Sequence, residues 1–292
     1  MIKKIKGKQI GLNIVFIILS LVFIVPFLML LSVSLSSEKD VWEYGYRLIP
    51  KQLDLSAYKW VFQNPGQILQ AYKVTIIFSV VTMFVGTFIT ALAAYPLAQK
   101  DFKYKNIVSG LMFVTMMFSA GVVPTYIWDT QYLKLGNTIW IYILPHLVNV
   151  WYIFMVRTFF QGIPREISEA AIVDGAGEFT IFTRIVLPLS KPAIATVALF
   201  IFLAQWNNWY TSMIYITDDK LVSLQYFLQR ILEEIELLQE DATAAQLLGN
   251  EDIPSETVRM AMAVTVAGPA LFVFPFFQKY FVKGLTIGGV KG

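Results

Sequence analysis

With 292 residues, 57% of them hydrophobic and only 15% charged, and with a mean hydropathy of +0.61, the chain is too apolar for an ordinary water-soluble domain. The absence of Cys excludes disulfides and thiolate chemistry, and a single His leaves no cluster with metal-ligand spacing. A formal net charge of +3 is too small to point to a nucleic-acid partner, so the distribution of charge along the chain carries the information instead.

Six uncharged apolar runs succeed one another, each near the ~20 residues that cross a hydrocarbon core as a helix. They lie at about 10–33, 74–98, 107–128, 138–156, 192–217 and 260–278. The first has Lys3, Lys4, Lys6 and Lys8 before it and Ser32, Ser34 and Ser36 after it, as a signal peptide would, but it exceeds the ~7–15 residues of a signal core and is read as a retained span. Between spans one and two, a segment at 34–73 carries Trp42, Tyr44, Tyr58 and Trp60. Span three holds Met116 and Met117. Span four holds His146 beside Pro145, a hydrogen-bonded bundle residue on this reading, with Asn149 and Tyr152 further on. Span five contains "QWNNWY", residues 205–210, and the segment after it places ten acids within 218–257. There Leu221, Leu224, Leu228, Ile231, Leu232, Ile235 and Leu238 trace a helical stripe, which predicts an amphipathic helix.

Orientation comes from the basic residues. With the N-terminus inside, the inner segments hold 14 of the 23 lysines and arginines but only 5 of the 20 acids. Basic residues in short loops resist translocation, so both termini are expected in the cytoplasm. The fold class is therefore all-α: a polytopic helical bundle of six membrane spans in one domain, 1–292.

The loop between spans four and five, 161–191, falls on the cytoplasmic side and contains "SEAAIVDGAGEFTIFTRIVLPL". Pro164 suits a first helical turn, Glu166 favours the positive end of the helix dipole, and Gly175 can end the helix in a left-handed conformation. A short helix is predicted over about 164–174. Ile167, Ala170, Ala171 and Asp174 share one face at i, i+3, i+4 and i+7, where small side chains let another surface come close. A second helical stretch, 178–186, places Phe179, Phe182 and Ile185 on one side and ends where Pro188 interrupts it.

The series Glu169-Ala170-Ala171, three residues, Gly175, nine residues, Ile185, one residue, Leu187-Pro188 resembles the EAA loop of the membrane subunits of ATP-binding-cassette importers. The ending "GLTIGGVKG", 284–292, is similar to the tail of the six-span member of the maltose-type carbohydrate permease pair. The resemblance implies a prokaryotic plasma-membrane subunit, embedded in lipid, that works with a second permease subunit, two ATPase subunits and an extracytoplasmic substrate-binding protein. It also implies that the EAA helix is a coupling helix seated in an ATPase cleft, with Glu169 paired to a basic residue there, and that Gly288, Gly289, Lys291 and Gly292 of the tail reach the ATPases. Independently, the chain has no G-x-x-x-x-G-K-[ST] loop, so no cofactor is expected in it and ATP with Mg2+ belongs to the partner ATPases.

For a carbohydrate, an oligosaccharide on this reading, the amides and indoles of Trp206, Asn207, Asn208 and Trp209, with Asn149 and Tyr152, are candidate path residues; the same Trp pair also suits an interfacial aromatic belt. Two rival classes predict different sequences. An ion-coupled secondary transporter calls for ionisable residues inside the spans, and the six cores have none. A membrane enzyme calls for a converging nucleophile, acid/base pair or metal, whereas the cytoplasmic acids are those of the docking loop.

Overall fold

A computed structural model describes residues 7–240 and 256–288, and among these the only strand pairing is an isolated antiparallel bridge between Ser36 and Leu53. Two compact units divide the chain: Met1–Ile68 with Leu228–Pro269, and Leu69–Phe227 with Ala270–Gly292.

In the first unit, α1 (Gly7–Ser34) is span one, and it is unburied within the chain until its last turn, where Ser32, Val33 and Ser34 are buried. The segment after it folds into α2 (Glu38–Tyr44) and α3 (Ser56–Val61). Ser37 caps α2 by accepting from the Asp40 N–H, and Gly45, at φ +71, ends it. Ala57 and Val61 turn inward, which brings Tyr58 Oη within 2.9 Å of Ser34 Oγ. The aromatic residues of this segment are not equivalent: Trp42 is 74% exposed, while the Tyr44 ring centroid has Arg47 Cζ at 4.8 Å and Lys51 Nζ at 3.8 Å.

In the second unit, α4 (Pro65–Ala98) begins nine residues before the apolar run of span two, because Gln67, Gln70 and Lys73 are competent helix formers that hydropathy passes over. Thr75, Ser79, Thr82, Gly86, Thr90 and Ala94 recur every three or four residues on α4, and all are buried. Lipid offers no hydrophobic drive for helix association, so such a stripe of small residues is what allows close packing. At Gly86 a Cβ would lie 3.2 Å from the Leu147 carbonyl oxygen.

Spans three, four and five are not continuous helices. Span three divides into α5 (Lys105–Met117) and α6 (Val122–Ile127), the latter continued by a π-type turn at Trp128–Tyr132, with a 110° bend between the two arms. Gly121, at φ +84, supplies the turn. Span four divides into α7 (Trp140–Ile143) with a 3-10 turn through Pro145, and α8 (Val150–Gln161), bent by 47°. After α9 (Arg165–Val173), α10 (Glu178–Ile181) runs through a π-type turn into α11 (Leu187–Leu189), and an 82° bend at Ser190 opens α12 (Lys191–Trp206). The predicted span at 192–217 stops at Trp206. Asn207 Nδ2 donates to the Leu203 carbonyl and Asn208 Oδ1 accepts from the Thr211 N–H, so two side chains take over helix-terminal backbone groups and restart the chain as α13 (Tyr210–Tyr215).

The apolar core of this unit gathers Val74 and Phe78 of α4, Ile141 and Tyr142 of α7, and Ile216 and Val222 beyond α13. Phe78 and Tyr142 stack with ring centroids 4.4 Å apart, and the buried Tyr142 hydroxyl is hydrogen-bonded to Ser212 Oγ and the Leu221 carbonyl, each at 2.9 Å. The predicted amphipathic helix is α14 (Leu224–Glu240), which from Leu228 onward belongs to the first unit, with Leu224, Leu228 and Ile235 buried and Glu233, Glu234 and Glu236 exposed. The last helix, α15 (Glu256–Gly288), overruns the apolar run at 260–278 at both ends. Gly288 closes it, and Gly289, Lys291 and Gly292 lie outside the described residues.

Candidate functional site

Helix α9 lies within a residue of its predicted limits and buries none of its side chains. Its end is a two-bond cap: the Gly175 N–H donates to the Ile172 carbonyl and the Ala176 N–H to the Ala171 carbonyl, both at 2.9 Å, with Gly175 at φ +80. The helix has two different faces. Arg165, Ser168, Glu169 and Ile172, at i, i+3, i+4 and i+7, line a cavity in the chain itself. The opposite face carries Ile167, Ala170, Ala171 and Asp174, flanked by Val173. At 86% exposure, Val173 is the most exposed large hydrophobic among the described residues. Ile167, Ala170, Val173 and Asp174 of this side are exposed, and Ala171 is half-buried. Val173 extends the alanine face by one more turn from Ala170, at an i+3 spacing that the set Ile167, Ala170, Ala171 and Asp174 does not include.

The cavity measures about 860 Å³ and is closed by the C-terminal end of α4, residues 99–105, the end of α8, α9 and the α10 turn. Leu92, Phe160, Phe182 and Val186 give it an apolar floor, and Lys100 and Arg165 stand on its rim. Glu178 is engaged within the chain, since its carboxylate accepts from Tyr95 Oη at 2.7 Å. Glu169 lies on the cavity face beside Ser168 and Ile172.

The side-chain register after α9 differs from the predicted one. Ile181, Phe182 and Val186 are buried, Phe179 is 65% exposed, and Ile185 is half-buried. Phe179 and Ile181 precede the π-type turn at Phe182–Val186, and their exposure and burial are set by α10 itself; the turn adds a residue to the helical turn and so rotates the residues that follow it, which leaves Val186 buried. This widening also accommodates Pro188, which has no N–H to donate, so the helix continues through the proline to Leu189 instead of stopping at it. Ile185, Leu187 and Pro188 thus form the arm between α9 and the bend at Ser190.

The candidate path residues separate into two kinds. Trp206 is buried, 3% exposed, and stacks on Phe202 at 5.7 Å. Asn207, Asn208 and Trp209 form the break in span five: Asn207 Oδ1 accepts from Gln225 Nε2, Asn208 Nδ2 donates to Gln205 Oε1, and Trp209 is 39% exposed against the edge of Tyr210. Asn149 stands at the corresponding break in span four, where its side chain caps α8 through the Trp151 N–H. Tyr152 is half-buried beside Phe200. The third span, as folded, also carries an acid that the run at 107–128 stopped short of: Asp129 is buried and accepts from Tyr215 Oη at 3.1 Å.

In comparison with known proteins, residues 86–287 match the family described as "Binding-protein-dependent transport system inner membrane component". The chain belongs to that family. It is 38% identical over 270 residues to protein LplC of Bacillus subtilis (strain 168), which covers 92% of this chain and 90% of that one. The polygalacturonan/rhamnogalacturonan transport system permease protein YtcP of the same organism is 33% identical over 273 residues, 94% of each chain. A chain in the crystal structure of a bacterial ABC transporter involved in the import of the acidic polysaccharide alginate is 26% identical, with a TM-score of 0.78 over 96% of this chain and 99% of that one. The resemblance drawn from 169–188 and the tail is confirmed at the level of family. The protein is an importer permease, of a family of membrane components that are generally non-catalytic. The secondary-transporter and membrane-enzyme readings fall away.

Proposed function

We propose that this permease forms half of the translocation path of an ATP-driven oligosaccharide importer, paired with a second permease, two ATPase subunits and an extracytoplasmic binding protein. Both termini are cytoplasmic in this reading. The observation that carries it is α9, a short capped helix with no buried side chain that presents Ala170, Ala171 and Val173 away from its own protein. Docked in an ATPase cleft, it converts closure of two ATPases around ATP and Mg2+ into movement of spans four and five, because the arm through Leu187-Pro188 joins it to the bend at Ser190. Alternating access then passes sugar from the binding protein to the cytoplasm. The carbohydrate class is supported by the relatives, named for polygalacturonan/rhamnogalacturonan and for arabinooligosaccharides. Asn207, Asn208, Trp209 and Asn149, at two unwound breaks, are the proposed sugar contacts, with Trp206 and Tyr152 packed behind them. The C-terminal Gly288, Gly289, Lys291 and Gly292 are proposed to meet the ATPases.

The test is uptake of labelled oligosaccharide by the reconstituted complex. Uptake is expected to require ATP and the binding protein and to survive collapse of ion gradients; uptake that tracked an ion gradient without ATP would refute the reading. Single cysteines at Ser168 and Leu55 are expected to label from the cytoplasmic and the external side respectively, and the reverse pattern would refute the orientation.

A further inference from the structure

Outside the path and the coupling loop, one carboxylate is bound with unusual completeness. Glu38, in the first turn of α2, is 7% exposed. Its Oε1 accepts from Trp42 Nε1 and from the Glu256 N–H, each at 3.1 Å. Its Oε2 accepts from the Thr257 N–H at 2.9 Å and from Thr257 Oγ1 at 2.7 Å. The two backbone donors are the first of α15, the 33-residue helix of the last span. A helix start is ordinarily capped by a residue next to it in sequence; this acid arrives from a position 218 residues away. Burying a carboxylate is costly unless its lone pairs are filled, and here four donors fill them.

Two more contacts converge on the same turn. Tyr46 Oη donates to Glu256 Oε2 at 2.7 Å, and Arg259 of α15 donates to Glu236 of α14 at 2.9 Å while lying 3.5 Å from Glu256. The segment after span one, the acidic amphipathic helix and the start of span six are thereby tied together at one point. In the orientation proposed above, these are extracytoplasmic elements within reach of a docking protein. A loop joined only by flexible chain absorbs a push; one locked to a helix N-terminus passes it on.

We propose that Glu38 is a positioning residue for transport: it fixes the outer end of span six to the outer segments, so that docking of the loaded binding protein moves that span. The inference rests on the binding-protein-dependent reading above. The charge is essential to the role, since glutamine keeps the shape but turns an NH2 group toward donors.

The experiment uses the assembled complex with both permeases and both ATPases, measuring ATPase rate with and without the sugar-loaded binding protein. Glu38→Gln is expected to preserve assembly and the basal rate while stimulation by the binding protein falls about tenfold, the scale of losing charge-assisted hydrogen bonds. In a second variant, Glu38→Cys with Thr257→Cys, a short reducible thiol-to-thiol linker is expected to restore stimulation, and reduction to remove it again; the chain has no native Cys to interfere. Stimulation of Glu38→Gln equal to wild type overturns the proposal. So does joint loss of basal and stimulated rates that the linker fails to restore, which marks a purely structural role. A wild-type complex that the binding protein does not stimulate overturns the functional reading and this inference together.

Discussion

Gly175 offers a test in which sterics and backbone conformation are cleanly separated. Its φ of +80 lies in the left-handed region, and a Cβ built there would meet nothing within 4 Å. Gly175→Ala therefore introduces no clash, and its whole effect comes from forcing an L-residue into that conformation, about 1–2 kcal/mol. A cost of that size shifts the local equilibrium for closing the cap by roughly five- to thirtyfold, because 1.4 kcal/mol corresponds to about a factor of ten. Asparagine tolerates the left-handed region and is expected to recover much of the loss. Proline is expected to be worst, since its ring holds φ near −65° and removes the N–H that bonds to the Ile172 carbonyl. The expected order of cap stability is Gly, Asn, Ala, Pro, read by amide hydrogen exchange at Ala176 and at position 175 where an N–H remains. Sugar transported per ATP hydrolysed should fall in the same order if the cap holds α9 in its docking pose. An order set by side-chain volume, with alanine above asparagine, would refute the conformational argument.

Packing and titration give three further expected outcomes. Tyr142→Phe keeps the stack on Phe78 but removes the hydroxyl that bridges Ser212 Oγ and the Leu221 carbonyl, Ser212 Oγ keeping the Ser223 N–H, and is expected to cost about 1–3 kcal/mol in detergent melting experiments; an unchanged melt would contradict the hydrogen-bond assignment. Gly86→Ala places a Cβ 3.2 Å from the Leu147 carbonyl, so it is expected to destabilise by about 1–3 kcal/mol and Gly86→Leu to prevent native assembly; a Gly86→Leu permease that transports normally would show that α4 does not approach span four as described. Burial pushes the Glu38 carboxyl up, but hydrogen bonds from Thr257, Glu256 and Trp42 outweigh it and hold the group below the ordinary glutamate value. The stabilisation is therefore complete above that ordinary value and is lost as pH falls through the lower folded one: the melting difference between wild type and Glu38→Gln should be constant from neutral pH upward and close in acid, and a difference that widened in acid would reverse the sign.

Much of the fold is legible in the sequence because the governing signals are local. Hydropathy locates six apolar runs, three of which fold as single long helices and three as broken helix pairs, and Pro164 and Gly175 bracket α9 because each imposes its own backbone geometry. The features that escape depend on tertiary context or on residues that windowed hydropathy averages away. Gly121 and the segment from Pro145 to Asn149 break spans three and four, and the Asn207-Asn208 pair ends α12 and starts α13, yet each sits within an apolar run long enough to cross as one helix. The π-type turn at Phe182–Val186 widens the helix and brings Val186 to the buried side, a shift that a 3.6-residue period cannot anticipate. Asp129 lies one residue beyond the apolar run, so the run is free of acids although the folded arm includes one. The cavity face of α9 is present as the spacing of Arg165, Ser168, Glu169 and Ile172, but polar residues on a loop helix ordinarily mean solvent, and only the fold shows what they line. The bond from Glu38 to Thr257 joins residues 219 apart, and nothing in either neighbourhood announces it.

The most direct test of the central claim, that α9 couples this permease to an ATPase through its alanine face, is site-specific photocrosslinking in the assembled complex. A photoreactive residue placed at Val173 or Ala170 is expected to capture an ATPase subunit, while the same residue at Ser168, on the cavity face, is expected to react within this chain. Capture of the ATPase from Ser168, with only lipid or the second permease captured from Val173 and Ala170, would contradict it.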